Sequence, residues 1–140
     1  MTTEEKQLLL KDICARLPYS TKCYCKWSKE ASNGTSGYIQ ELSTFLLDEF
    51  EMIDNPECDC QVSEIKPYLR PMSSMTKEER TEREKFIKCI IDEKNHYRHY
   101  VVFPHDSVDY HDWLDAHHFD YRGLIPMGLA LEAPEGMYND

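Results

Sequence analysis

Residues 21–27, TKCYCKW, are the part of the chain that most directly predicts a β-sheet. Lysine, cysteine and aromatic side chains nearly alternate along this stretch, as they do in a strand with one buried face. The next residues, 28–37, read SKEASNGTSG and have the composition of a loop long enough for a wide hairpin. The sequence therefore predicts a strand followed by a connection back to a second strand.

Three more strands are predicted after this loop, at residues 38–42, 44–53 and 60–65. The apolar residues of the second one would also fit one face of a helix, but a strand is favoured. The third is expected to end in an irregular exit, because Pro67 and Pro71 interrupt regular backbone.

Helical patterns lie on both sides of these strands. Thr2 and Glu5 form a capping box that predicts a helix over residues 3–15, which Pro18 ends. A second capping box at Thr76 begins a charged connector helix that extends to residue 92. Beyond it the sequence predicts a strand, a helix and a last helix, at residues 97–103, from residue 108 and at residues 121–131.

These elements predict an α+β fold: a small antiparallel sheet, or a partly open barrel, flanked by an N-terminal helix and a C-terminal helical unit. A chain of 140 residues fits a single domain. We expect residues 1–72 to form the first helix and the sheet, and residues 73–140 to form the connector helix and the C-terminal unit.

Negative charge is concentrated at the end of the chain. Residues 105–140 contain eight acidic residues and one basic residue, Arg122, and so carry −7 of the net charge of −10. Like charge repels phosphate backbones, which argues against general nucleic-acid binding, while a basic partner or a metal suits this face. A solvated acidic surface is the simplest interpretation.

The chain contains no apolar stretch of roughly 20 residues, the length needed to cross a bilayer. Its first residues, MTTEEKQLLLKD, have acids where a signal peptide has a basic run. We therefore expect a cytoplasmic protein without membrane contact. In that reducing compartment Cys14 and Cys89, both within helical patterns, are predicted to be small buried apolar groups.

Four cysteines form two pairs with a one-residue spacing, Cys23 with Cys25 and Cys58 with Cys60. On a strand this spacing places both sulfurs on one face, about 7 Å apart. Zinc sites usually use a tighter knuckle of two to four intervening residues. Half-buried strand cysteines are the favoured interpretation, and a four-sulfur zinc site is the alternative.

A second possible metal site lies in the acidic C-terminal stretch. His111, Asp115 and His118 are spaced so that their side chains would converge on one helical face, as a metal-dependent hydrolase requires. Against this, His117 and His118 stand at a predicted helix end, where histidines commonly bond the last carbonyls. No other catalytic motif is present, and the sequence predicts no cofactor and no catalytic residue.

Arg122 is expected to form an ion pair with Asp115, Asp120 or Glu132. Alternatively, Arg122 with Tyr121 and His118 would form a patch that contacts an anion or a partner. The apolar run over residues 124–131 is expected to pack onto the sheet or the connector helix, and otherwise to form a homodimer surface.

Three blocks of sequence, CARLPY from residue 14, EIKPYLRPMSSMT from residue 64 and DAHHFDYRGLI from residue 115, span most of the chain in order. In these blocks the chain resembles a family of uncharacterised small proteins of gut Bacteroidetes and their phages and prophages. The chain departs from that family at Ser20, where a glycine is expected. The resemblance implies a bacterial or phage cytoplasm and a mobile-element setting, and supplies no activity, cofactor or site residue.

Charge and resemblance together predict a non-enzymatic interaction or regulatory protein of a phage or mobile element. Its acidic C-terminal face would bind a host or phage protein through six residues: Asp109, Asp112, Asp115, His118, Tyr121 and Arg122. One alternative is the metal-dependent hydrolase. Another is nucleic-acid binding by the small sheet through Lys22, Tyr24, Lys26 and Trp27, which the overall acidity disfavours.

Overall fold

A computed structural model describes residues 1–27, 37–53, 62–88 and 108–138. The helices within these ranges are α1 (Thr3–Arg16), α2 (Thr44–Met52), α3 (Lys77–Lys88) and α4 (Val108–Ala116). The strands are β1 (Lys22–Trp27), β2 (Gly37–Glu41), β3 (Val62–Leu69) and β4 (Leu131–Glu132). In the described part of the chain they form one open sheet in the order β2-β1-β3-β4. The α+β prediction with an N-terminal helix is confirmed.

The capping box predicted for α1 is present. The Thr2 hydroxyl accepts a hydrogen bond from the Glu5 backbone N–H at 3.1 Å, and the Glu5 carboxylate accepts one from the Thr2 N–H at 3.0 Å. After α1, one turn of 3-10 helix over Leu17–Tyr19 leads to Ser20, whose φ of 54° lies in the left-handed region. That region favours glycine, the residue implied at this position by the family resemblance.

β1 is one of the two inner strands of the sheet, and its predicted alternation is confirmed. Cys23 and Cys25 are fully buried, whereas Lys26 is exposed. Antiparallel partners flank β1 on both sides, so that Tyr24 lies opposite Ile39 of β2 and Lys66 of β3. β4 adds a short parallel pairing to β3, which makes the sheet mixed rather than purely antiparallel.

The prediction of a strand over residues 44–53 is wrong, because these residues form α2. Ser43 caps the helix by accepting a hydrogen bond from the Leu46 backbone N–H at 3.4 Å. Leu46 and Phe50, four residues apart, are both buried, so the helical spacing of the apolar residues determines the structure.

The irregular exit predicted at Pro67 is also wrong, since β3 continues through this residue to Leu69. Pro67 is buried and lies opposite Cys23. A strand tolerates proline where the proline nitrogen is not needed as a hydrogen-bond donor.

The predicted last helix, residues 121–131, is replaced by turns and β4. Gly123 and Gly128 have φ angles of 76° and 77°, which no right-handed helix contains. Asp120 does act as a cap, as predicted, but of a turn: its carboxylate accepts hydrogen bonds from the backbone N–H groups of Leu124 and Ile125. The predicted strand at 97–103 and the end of the connector helix lie outside the described residues.

Two apolar clusters hold these elements together. The larger one packs α1 and α2 against the buried face of the sheet. The smaller one lies beside α4 and is formed by Met75, Tyr110, Leu114 and Phe119. Leu124, Leu129 and Ala130 belong to the larger cluster, so the predicted packing of the 124–131 run is confirmed for these residues.

Glu79, in the second capping box, joins the start of α3 to the end of β3. Its carboxylate accepts two hydrogen bonds from the Arg70 guanidinium, at 2.7 and 2.8 Å, and one from the Thr76 backbone N–H at 2.9 Å. The hydrogen bonds from Arg70, followed by those from Thr76, lower the pKa of Glu79 to about 2 despite its partial burial. This pair is a charged link between the end of β3 and the start of α3.

Glu79 should make stability depend on pH. Its folded pKa lies below its usual value, so its contribution is complete above that usual value, 4.5, and is lost as the pH falls towards 2. Glutamine at this position keeps a side chain suited to the capping box but loses the charge. Urea unfolding of the wild type and of Glu79→Gln should differ by about 2 kcal/mol at pH 7 and converge in strong acid. A constant difference across this pH range would contradict the assignment.

Candidate functional site

A buried group of charged residues connects α1 to the segment after α4. Asp12 and Arg16 lie one turn apart on α1, and both side chains are fully buried. Arg16 donates from Nε to Asp12 Oδ2 at 2.7 Å and from Nη2 to Asp12 Oδ1 at 3.0 Å. Nη2 also donates to the carbonyl oxygen of Phe119 at 2.6 Å. A helix pair at this spacing is common, but its complete burial is not.

The segment after α4 supplies the other half of this group. Arg122 donates from Nε to Asp12 Oδ1 at 3.1 Å and from Nη2 to the Tyr121 hydroxyl at 3.1 Å. The Tyr121 hydroxyl in turn donates to Asp115 Oδ1 at 2.9 Å. We call these five residues, Asp12, Arg16, Asp115, Tyr121 and Arg122, the charge centre. The predicted pairing of Arg122 with Asp115, Asp120 or Glu132 is wrong, because its carboxylate partner is Asp12.

The environment of the charge centre raises the pKa of three of its members, Arg16, Asp115 and Tyr121. Burial raises the pKa of Asp115, although the charge of Arg16 opposes the shift. Burial together with the neighbouring Asp115 raises the pKa of Tyr121 to about 12. Tyr121 therefore keeps its proton at neutral pH and acts as a hydrogen-bond donor. The Asp12 carboxylate and the Tyr121 hydroxyl bond to groups of the chain itself, so the arrangement suits structural cohesion rather than proton transfer to a substrate.

The three predicted metal ligands near α4 have different neighbours. His111 stacks on the Tyr121 ring at 5.3 Å between centroids, and Asp115 belongs to the charge centre. His118 lies beyond the end of α4 with a φ of 64°, and its Nδ1 is 3.1 Å from the Thr21 hydroxyl. The helical spacing on which the predicted convergence rests therefore ends before His118. Within residues 1–27, 37–53, 62–88 and 108–138 no three such side chains are grouped to hold a metal.

The structure describes two of the four cysteines of the predicted zinc site, Cys23 and Cys25. Burial raises the pKa values of Cys23 and Cys25, whose thiols face the larger apolar cluster. Cys58 and Cys60 lie outside the described residues, as does Cys89. Cys14 is exposed on α1, so the prediction that it is buried is wrong.

The surface predicted to bind nucleic acid is only partly assembled. Lys22, Tyr24 and Lys26 lie along one face of β1, but each lysine has a glutamate as its cross-strand neighbour. Glu41 of β2 lies opposite Lys22, and Glu64 of β3 lies opposite Lys26. The Trp27 ring packs against another ring, that of Tyr38, with centroids 4.5 Å apart. Lys66 lies opposite Tyr24 but pairs with Glu64 at 3.0 Å, so glutamates interrupt the lysines on the described part of this face.

The predicted acidic face is smaller in the structure than in the sequence. Asp115 and Asp120 are buried, with 3% and 7% of their surface exposed, and His118 is also buried. Tyr121 and Arg122 are half-buried. Asp109 and Asp112 are exposed on α4, and neither forms an ion pair within the described residues. We call these two aspartates, one helical turn apart, the acidic face of α4.

Tyr19 is a neighbour of this face that sequence reasoning missed. Partial burial raises its pKa, and the charges of Asp112 and Asp115 raise it further. Tyr19 and Asp112 are far apart along the chain, so no spacing pattern could have joined them. The CARLPY block that includes both Arg16 and Tyr19 was the one available signal.

Tyr138 fastens the chain after β4 to the sheet and to His118. Its hydroxyl accepts a hydrogen bond from the Lys22 backbone N–H at 2.9 Å and donates one to the Tyr68 carbonyl at 2.7 Å. Its ring stacks on His118 with centroids 3.7 Å apart. Burial raises the pKa of Tyr138 to about 12, so these bonds persist across the neutral range.

A half-open groove of about 410 Å³ lies between α1, α2, β3 and the turn before Leu129. Its floor is apolar and includes Leu9, Phe50 and Ile65. Two glutamates line it, but Glu5 caps α1 and Glu64 pairs with Lys66 at 3.0 Å. The groove therefore lacks a free acidic group that would define the chemistry of a ligand.

Comparison with known proteins gives no match to a protein-family model, to a curated protein or to a solved structure. The resemblance to small proteins of Bacteroidetes and their phages stays a prediction. Among the helices of the described ranges, none has the length and apolarity needed to cross a membrane.

Proposed function

We propose that this protein binds a basic segment of a partner protein through the acidic face of α4. The supporting observation is that Asp109 and Asp112 are exposed and unpaired within the described residues, whereas the nearby Asp12, Asp115 and Asp120 all have partners inside the fold. A partner's lysine or arginine can therefore approach two carboxylates without breaking an existing ion pair.

The surroundings of the two aspartates also suit a protein contact. Val108, beside Asp109, is 73% exposed and offers an apolar contact next to the charges. The charge centre fixes the segment that follows α4 to α1, so the aspartates are presented on a firmly packed helix. Exposed charges at the rim of an interface mainly increase the association rate and the specificity. Binding should therefore weaken as the salt concentration rises.

The proposal includes the setting implied by the sequence resemblance. According to this proposal, the protein is a non-enzymatic regulator of a phage or mobile element, acts in the bacterial cytoplasm and binds a host or phage protein. The net charge of −10 supports a basic partner and disfavours a nucleic acid.

The test is charge reversal with a matched control. Asp109→Lys/Asp112→Lys changes two exposed acids three residues apart on α4, and Asp48→Lys/Glu51→Lys makes the same change in charge at the same spacing on α2. Affinity purification from host cells that carry the element, followed by quantitative mass spectrometry, should identify a partner retained by the wild type and the α2 variant. The α4 variant should retain at most about one tenth of the amount of this partner that the wild type retains.

Two further observations complete the test. High salt should reduce recovery of the same partner, and circular dichroism should show that both variants are folded. Equal loss in both variants would indicate a general charge effect, and undiminished recovery with the α4 variant would exclude this face. Either result would overturn the proposal.

A further inference from the structure

The guanidinium of Arg16 has one nitrogen without a hydrogen-bond partner. Nε and Nη2 make the three hydrogen bonds to Asp12 and Phe119, while Nη1 has no acceptor within the described part of the chain. The side chain is fully buried, so bulk solvent does not reach Nη1. A buried donor that lacks an acceptor costs about 1–3 kcal/mol, and more when it is charged.

The space around Arg16 contains polar groups from three parts of the fold. The Asp115 carboxylate oxygen lies 3.8 Å from Arg16 Nη2. The Cys23 thiol and the Tyr138 hydroxyl, whose pKa values are raised chiefly by burial, are close enough for the charge of Arg16 to act on both. A buried water molecule normally needs two to four polar partners, and Nη1 of Arg16 would be one of them.

We propose that Nη1 of Arg16 binds one internal water molecule, which is a permanent component of the charge centre. The charges favour a neutral acceptor over an anion. Two guanidiniums, of Arg16 and Arg122, already face two carboxylates, of Asp12 and Asp115. An added anion would place an uncompensated negative charge in the interior next to those carboxylates. Water satisfies the donor without changing this balance.

A crystal structure of the full chain, from crystals soaked in sodium bromide, tests the proposal directly. We expect one ordered peak about 2.7–3.2 Å from Nη1, without the anomalous signal of bromine. An anomalous peak there would show a halide site. A protein acceptor for Nη1, or no density beside it, would also overturn the proposal.

Magnetic relaxation dispersion of water provides a second readout in solution. Arg16→Met should remove one long-lived water, because it deletes Nη1 and leaves an apolar side chain. Arg122→Met is the matched control, since it removes another arginine that bonds the same oxygen of Asp12, and it should retain that water. An unchanged water count in a folded Arg16→Met variant would contradict the proposal. If that variant does not fold, the crystallographic result decides.

Discussion

Replacing Asp12 with asparagine should lower the free energy of unfolding by about 3–5 kcal/mol, the usual cost of removing one partner of a buried ion pair. The two oxygens of Asp12 accept hydrogen bonds from both Arg16 and Arg122, at distances of 2.7–3.1 Å. Asparagine has one oxygen and no charge, so the fully buried guanidinium of Arg16 would lose its closest counter-charge. Urea unfolding at pH 7, followed by circular dichroism, measures the change.

Asp115→Asn is the matched control for this experiment, because it neutralises the other buried carboxylate of the charge centre. Burial raises the pKa of Asp115 in the folded state. The charged carboxylate therefore stabilises the fold less than the protonated carboxyl group does. A neutral side chain should therefore change stability by less than about 1 kcal/mol at pH 7. If the two variants lost equal stability, the central role assigned to Asp12 would be wrong.

Phe119→Ala should also destabilise the fold strongly, by about 3–5 kcal/mol, because it removes a large side chain from a packed interior. Phe119 is fully buried in the smaller apolar cluster and lies 5.8 Å from the Trp113 ring, measured between centroids. The guanidinium carbon of Arg70 lies 4.3 Å from the centre of the Phe119 ring. Truncation would leave a cavity at the point where the end of β3 meets α4. Thermal and urea unfolding are the measurements.

Phe45→Ala, on the outer side of α2, is the comparison for this second prediction. Phe45 is 54% exposed, so its truncation should cost about 1 kcal/mol or less. If Phe119→Ala had an effect as small as that of Phe45→Ala, the smaller cluster would not contribute to stability as described.

The parts of the fold that sequence predicted well are those determined by neighbouring residues. Each capping box depends on two residues that are three positions apart at the start of a helix, and β1 depends on alternation within seven residues. The error at α2 arose because Leu46 and Phe50 fit a buried strand or a helix face equally well until their packing partners are known. The prediction after Asp120 is wrong because Gly123 and Gly128 have positive φ angles, which turn the chain instead of continuing a helix.

The candidate site was less predictable because its contacts are long-range. Sequence identified the surplus of acid and the isolated Arg122 but could not determine which acids face inward. Asp12 and Arg122 are 110 residues apart, and neither has a local feature that indicates the other. The predicted binding residues included Asp109 and Asp112. The sequence could not distinguish this exposed pair from Asp115 and His118, which the structure shows to be buried.

The contact between Asp12 and Arg122 has a consequence for the order of folding. Joining these residues closes a loop of about 110 residues, which is entropically costly to form before other contacts shorten it. α1 can form early through its own capping box, but Arg16 remains hydrated until residues 115–122 reach it. Non-local contacts of this kind slow folding and couple distant segments. The first helix and the segment after α4 are therefore expected to reach their native packing in the same late, cooperative step.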